Sequence, residues 1–255
     1  MSSENVLYEY PLNEKIRTYL RLEYLFNHCG YFVMGSSPWE HRSAIELLFD
    51  LHTVIERSEI RADLIKDLER KRRALSALMD VPNVDKKRLS QFLDELASAT
   101  VRIQKTDLRI GQRIKCNELL NSIRQRTSIP GGACNFDLPA YHYWLQQPIE
   151  KKREQLNLWL GEFNPVFHGL GLLLKIIRDS GQVFPVEAKG GFYQHDFAGA
   201  DYELLRIQLP REYSFFPEFS GNKHRIAIRF LIPSTSERPQ PVKESITFNL
   251  CCCSG

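Results

Sequence analysis

The chain has 255 residues, with 34 Lys and Arg against 31 Asp and Glu, for a formal net charge of +3. Hydrophobic residues at 43% and charged residues at 25% are ordinary globular values, which exclude a disordered chain and a coiled-coil rod. The charge is too mild to imply a nucleic-acid binder by itself, and the longest apolar run stops at Lys175, so no membrane span is expected.

At roughly 150 residues per domain, the length allows one large domain or two small ones. The N-terminal stretch Met1 to Tyr10 is polar and acidic and lacks the basic and apolar regions of a secretory signal. Cys29, Cys116 and Cys134 are scattered, while Cys251, Cys252 and Cys253 are adjacent. That usage predicts a reduced, cytoplasmic protein rather than a disulfide framework.

Residues 12 to about 180 read as helical. Val6 to Tyr10 precedes them and alternates like a strand. Asn13 caps a helix to about His28, with Ile16, Leu20 and Tyr24 on one face. Ser37-Pro38-Trp39-Glu40 combines a cap, a first-turn proline and a capping box, and starts a helix to about Glu56. Ile60, Leu64, Leu68, Leu75 and Leu78 form an apolar stripe ending before Pro82. Asp85 caps a fourth helix with Leu89, Phe92, Leu93 and Leu96 inward. A single helix is expected over Gln112–Arg126, then a short one capped by Asp137 and closed before Pro148. Ile149–Leu160 follows, and Asn164-Pro165 opens a helix apolar nearly all round from Val166 to Ile177.

The period changes after Gly181. Residues 183–188, 191–195, 202–209, 214–219, 225–232 and 246–251 read as strands separated by turns, with no helix between them. Strands in that arrangement form an antiparallel sheet, which the strand at Val6 to Tyr10 is expected to join. The fold class is therefore α+β: a helical domain over 11–180, then a β-domain over 181–255 with 4–10 as an added strand.

Chemistry-bearing motifs are sparse. No phosphate loop, dinucleotide fingerprint, nucleophile elbow or zinc signature occurs, so no cofactor, no metal and no catalysis are expected. His28-Cys29 offers two ligands at most. Pro130-Gly131-Gly132-Ala133-Cys134 reads first as a helix stop and turn, with an anion cradle as the enzymatic alternative. Cys251 to Gly255 reads as a strand end and loose tail rather than a lipidation box.

The arginines say more. Arg225 and Arg229 alternate with Ile226, Ile228 and Phe230, so two guanidinium groups about 13 Å apart share the open face of a strand. Arg17 and Arg21, and Arg57 and Arg61, repeat the four-residue spacing on helices. Residues 102–126 carry seven basic residues against two acidic ones, and supply the nucleic-acid-binding alternative. Guanidinium forks match carboxylates, so these faces point to a protein that binds an acidic partner and performs no chemistry.

Several segments together resemble one family: Tyr10-Pro11-Leu12-Asn13-Glu14-Lys15-Ile16-Arg17, Arg124 to Gly132, Cys134-Asn135-Phe136-Asp137-Leu138-Pro139, Gly191-Phe192-Tyr193-Gln194 and Ser220 to Phe230. They are similar to the ZapD family of Z-ring-associated cell-division proteins, from about Val6 to the terminal cysteines. The resemblance implies a helical domain packed with a β-domain. It also implies a cytoplasmic homodimer at the mid-cell division site that binds the C-terminal tail of FtsZ and bundles its filaments. The family's basic tail-binding positions fall on Arg21, Arg57, Arg225 and Arg229, with His142 as a further member; Arg61 joins them through its spacing from Arg57. One more family arginine falls on Glu118. The Cys-Cys pair that can follow the double glycine is Ala133-Cys134 here, so no paired-thiol role is implied.

Overall fold

The computed structural model describes residues 5–56, 59–105, 110–197, 199–222 and 224–254. The chain is α+β, with helices preceding the sheets and the N-terminal strand joining one of them. It divides into two compact units, residues 21–173 and residues 1–20 with 174–255.

The helical elements begin with α1 (Glu14–Val33) and α2 (Pro38–Glu56). Asn13 caps α1 as expected, its Oδ1 accepting from the Ile16 N–H at 2.8 Å. The helix runs five residues past the expected stop because Cys29 and Val33 are buried on the same stripe as Leu22 and Leu25. Tyr24, placed inward by a four-residue count, is 57% exposed and packs its ring at a tilt against His28 instead. The drift of 3.6 residues per turn carries the fourth-residue row off the buried face. At α2 the capping box forms in full: the Glu40 N–H donates to Ser37 Oγ at 3.2 Å, and the Ser37 N–H donates to Glu40 Oε2 at 2.8 Å. Hydrogen bonds to the Glu40 carboxyl from Ser37 and from the Ser36 N–H hold it below its usual range.

Next come α3 (Ile60–Ser76), α4 (Lys86–Lys105), α5 (Gln112–Cys116), α6 (Glu118–Arg126), α7 (Pro139–Leu145) and α8 (Ile149–Leu160). Ile60, Leu64 and Leu68 are buried on α3, whereas Leu78 lies beyond it and is exposed. Asp85 caps α4 through the Arg88 N–H at 3.0 Å, and Leu96 is its most deeply buried expected core residue. The single helix expected over 112–126 is broken at Asn117, whose Oδ1 accepts from the Leu120 N–H at 2.9 Å and starts α6 anew. Asp137 does not cap α7; it pairs with Arg126 at 3.0 Å, and Pro139 opens that helix. The last helix, α9 (Asn164–Asp179), buries Val166, Leu170, Leu173, Leu174 and Ile177.

The strands are β1 (Asn5–Pro11), β2 (Gln182–Ala188), β3 (Phe192–Asp196), β4 (Tyr202–Pro210), β5 (Phe216–Gly221), β6 (Arg225–Ile232), β7 (Gln240–Pro241) and β8 (Ile246–Ser254). They form two antiparallel sheets where one was expected: β1-β4-β8-β2, and β3-β6-β5 with β7 against β6. Side chains from both sheets meet in one apolar cluster containing Leu205, Ile207, Phe248 and Leu250 from the first and Ile226, Ile228 and Phe230 from the second. Burial of each such side chain contributes about 1.5–3 kcal/mol. The terminal cysteines are not a loose tail, because β8 continues through them, with Cys252 and Cys253 buried. Glu9 ties β1 to its surroundings, accepting from Arg178 at 2.7 Å and lying 3.0 Å from Arg206.

Candidate functional site

The residues of β6 alternate as expected. Ile226, Ile228 and Phe230 are fully buried, while Arg225 and Arg229 are exposed. Because β6 lies between β3 and β5, both arginines stand on the open face of a sheet, flanked on either side. Directly opposite residues of an antiparallel pair share a face. The register therefore places Asp196 beside Arg225, Gln194 and Ser220 beside Ala227, and Phe192 and Glu218 beside Arg229.

The turn before β6 fixes where Arg225 begins. The N–H groups of His224 and Arg225 donate to Asn222 Oδ1 at 2.9 and 3.3 Å, and the Asn222 N–H donates back to the Arg225 carbonyl at 2.9 Å. Gly221 is required there, since a Cβ would sit 2.4 Å from that carbonyl oxygen. Tyr10 of β1 supports the same corner by stacking on Phe219 at 5.1 Å and donating to the Gly221 carbonyl at 3.3 Å. Arg229 leans over an aromatic ring, its guanidinium carbon 5.7 Å from the Phe192 centroid.

Of the other expected positions, Arg21, Arg61 and His142 belong to the unit of residues 21–173, and Arg57 lies outside the described residues. Arg21 is exposed on α1, and His142 is exposed on α7 beside the buried Tyr141. Arg61 is half-buried, with two of its guanidinium nitrogens bonded to carbonyl oxygens at the end of α4. It lines a cleft of about 640 Å³ together with His52, Glu56, Gln112 and Lys115. Gly111 closes this cleft at φ +83°, where a Cβ would lie 2.3 Å from the His52 ring. Burial lowers the His52 pKa, and the Glu56 carboxylate beside it acts in the opposite direction.

The alternatives are placed as plainly. In the basic stretch, Lys115 pairs with Glu56 at 2.8 Å, Arg113 with Glu162 at 3.5 Å and Arg126 with Asp137 at 3.0 Å. Three of its cations thus meet carboxylates of this chain; Arg109 lies outside the described residues. In the double-glycine loop the Gly132 and Cys134 N–H groups donate to Ile129 and Gly131 carbonyls, so they serve the turn. Cys29 is buried, donates to the Ala44 carbonyl, and has its thiol pushed up to about 12 by that burial. Glu118 begins α6.

The strand alternation missed Phe192, Asp196 and Glu218. The local pattern shows which residues share a face of β3 or β5, but only the pairing shows which arginine each stands beside.

A family profile described as "ZapD: Cell division protein" matches residues 20–229. The chain belongs to the ZapD family. A cell division protein ZapD of Methylococcus capsulatus is 38% identical over 249 residues, covering 97% of this chain and 98% of the relative. Proteins of the same name from Aromatoleum aromaticum and Ralstonia pickettii are each 39% identical, covering 98% of this chain and 97% and 99% of theirs. Membership supports a role in cell division. Among the described residues, no helix is long and apolar enough to cross a membrane.

Proposed function

We propose that this ZapD-family chain is a non-catalytic cell-division factor that binds the C-terminal tail of FtsZ. As a homodimer it cross-links FtsZ filaments and stabilises the Z ring at mid-cell in the cytoplasm. The observation that carries the reading is the pair Arg225 and Arg229, exposed on an open sheet face above a fully buried core set. Arg21, Arg57, Arg61 and His142 complete the proposed tail-binding set.

The physics favours such a partner. A flexible tail loses conformational entropy on binding and needs a few strong anchors. Exposed guanidinium groups provide bidentate donors for its carboxylates. One tail per protomer is a modest interaction, but a dimer facing a filament with many tails gains avidity without any new contact.

Co-sedimentation with assembled FtsZ tests the reading. Filaments should pellet with the protein and thicken into bundles, whereas filaments of FtsZ lacking the C-terminal tail should leave it in the supernatant. Equal pelleting with both filament types would place the contact elsewhere on FtsZ.

A further inference from the structure

The row of the open sheet face that carries Arg229 also carries Phe192, which is 41% exposed. A single exposed aromatic is common and assigns nothing by itself. Here the ring lies within cation–π distance of the Arg229 guanidinium, so the two form one platform with an apolar and a cationic part. Tyr193, the next residue, packs edge-on against Phe248 at 5.6 Å, and this inward anchor holds Phe192 outward by strand alternation. The adjoining row holds Gln194, Ala227 and Ser220, so on β6 itself only the small Ala227 side chain stands between the two arginines on this face.

Two acids flank this surface on opposite sides, Asp196 beside Arg225 and Glu218 beside Arg229. Neither forms an ion pair with its arginine among the described residues. They lower the local positive potential without occupying the guanidinium donors. Charge alone is therefore a poor basis for binding here, and an apolar contact has to add to it.

We propose that Phe192 is a specificity-determining contact of this face. It takes an apolar side chain of an extended acidic peptide whose carboxylates pair with Arg225 and Arg229, while Asp196 and Glu218 select against peptides that carry charge without that side chain. The arginines are about 13 Å apart, so about four residues of extended peptide span them. Phe192 is one strand over, roughly 4.8 Å, from Arg229. The apolar side chain accordingly belongs next to the carboxylate that meets Arg229. This inference rests on the reading that the face binds the FtsZ tail.

The test titrates a labelled FtsZ C-terminal peptide into the full chain and its variants. Phe192→Thr, which keeps a strand-favouring residue, should weaken binding about tenfold or more, and Phe192→Leu should retain most of it. Combined Asp196→Asn and Glu218→Gln should tighten binding roughly two- to fivefold at low salt, a gain that high salt removes. Unchanged affinity in Phe192→Thr overturns the inference and leaves the FtsZ reading standing. Failure of the unmodified protein to bind the peptide overturns that reading, and an alternating Glu-Leu peptide then decides the inference. Its capture by the unmodified protein and loss in Phe192→Thr supports the contact, and absence of binding overturns it.

Discussion

Arg61 closes the C-terminal end of α4, its Nη2 donating to the Gln104 carbonyl at 2.7 Å while Nε reaches the Ile103 carbonyl at 3.1 Å. The last carbonyls of a helix have no partner within it, and a cation there also meets the negative end of the helix dipole. Arg61 therefore joins the start of α3 to the end of α4 across about forty residues of chain. Hydrogen bonds from a charged donor contribute about 1.5–3 kcal/mol, so Arg61→Ala should lower Tm by several degrees. Arg61→Lys should recover only part, because it lacks the planar fork. A melt of Arg61→Ala that overlays the unmodified protein would mean that this contact does not hold α4.

Two buried histidines give the fold an acid limit. Burial lowers the pKa of both; Lys152 and Arg153 reinforce this at His41, as do Arg124 and Lys115 at His52, while the Gly35 backbone and Glu40 oppose it at His41 and Glu56 opposes it at His52. In the unfolded chain each takes up a proton near pH 6.5, about the ordinary value, before it does so in the folded state. The stability this represents is complete above that pH and is lost as pH falls through the lower folded values. Thermal melts should therefore decline from about pH 6.5 downward, ahead of ordinary carboxylate titration. Replacing both His41 and His52 with Gln should flatten that slope. Melting temperatures constant between pH 7 and 5 would contradict the prediction.

The capping box at Ser37 and the alternation of β6 were legible because both are local: their partners lie within a few residues. The extent of α1 was not, since Cys29 and Val33 lengthen it by burial rather than by propensity. Asn117 looked like an interior helix residue, yet its side chain caps a new helix. Apart from the two-residue β7, which reads as a proline-rich turn, the strands were legible, but their pairing was not. β1 joins β4 across nearly the whole chain, and there are two sheets because β2 and β4 both pair with β8 while β3 and β5 both pair with β6. The terminal cysteines extend β8 because free Cys buries as a small hydrophobe. For the site, the arginine spacing was readable, whereas the company of Arg229 and the carbonyl partners of Arg61 depend on distant segments.

Bundling by this account requires two tail sites per particle. Sedimentation at micromolar concentration should give about twice the chain mass. Dilution or an interface substitution that yields monomer should abolish bundling while leaving binding of an isolated tail peptide intact. A monomer that still bundles filaments would contradict the bivalent mechanism.

The most direct test of the central claim is titration of a labelled FtsZ tail peptide against Arg225→Glu and Arg229→Glu, with melts alongside. Both side chains point away from Ile226, Ile228 and Phe230, so melting temperatures should stay close to that of the unmodified protein. Affinity should fall in each variant, by about 2–5 kcal/mol for a desolvated guanidinium–carboxylate contact and by less for one at the rim. Unchanged affinity in both, with the fold intact, would contradict the claim that this face of the sheet receives the tail.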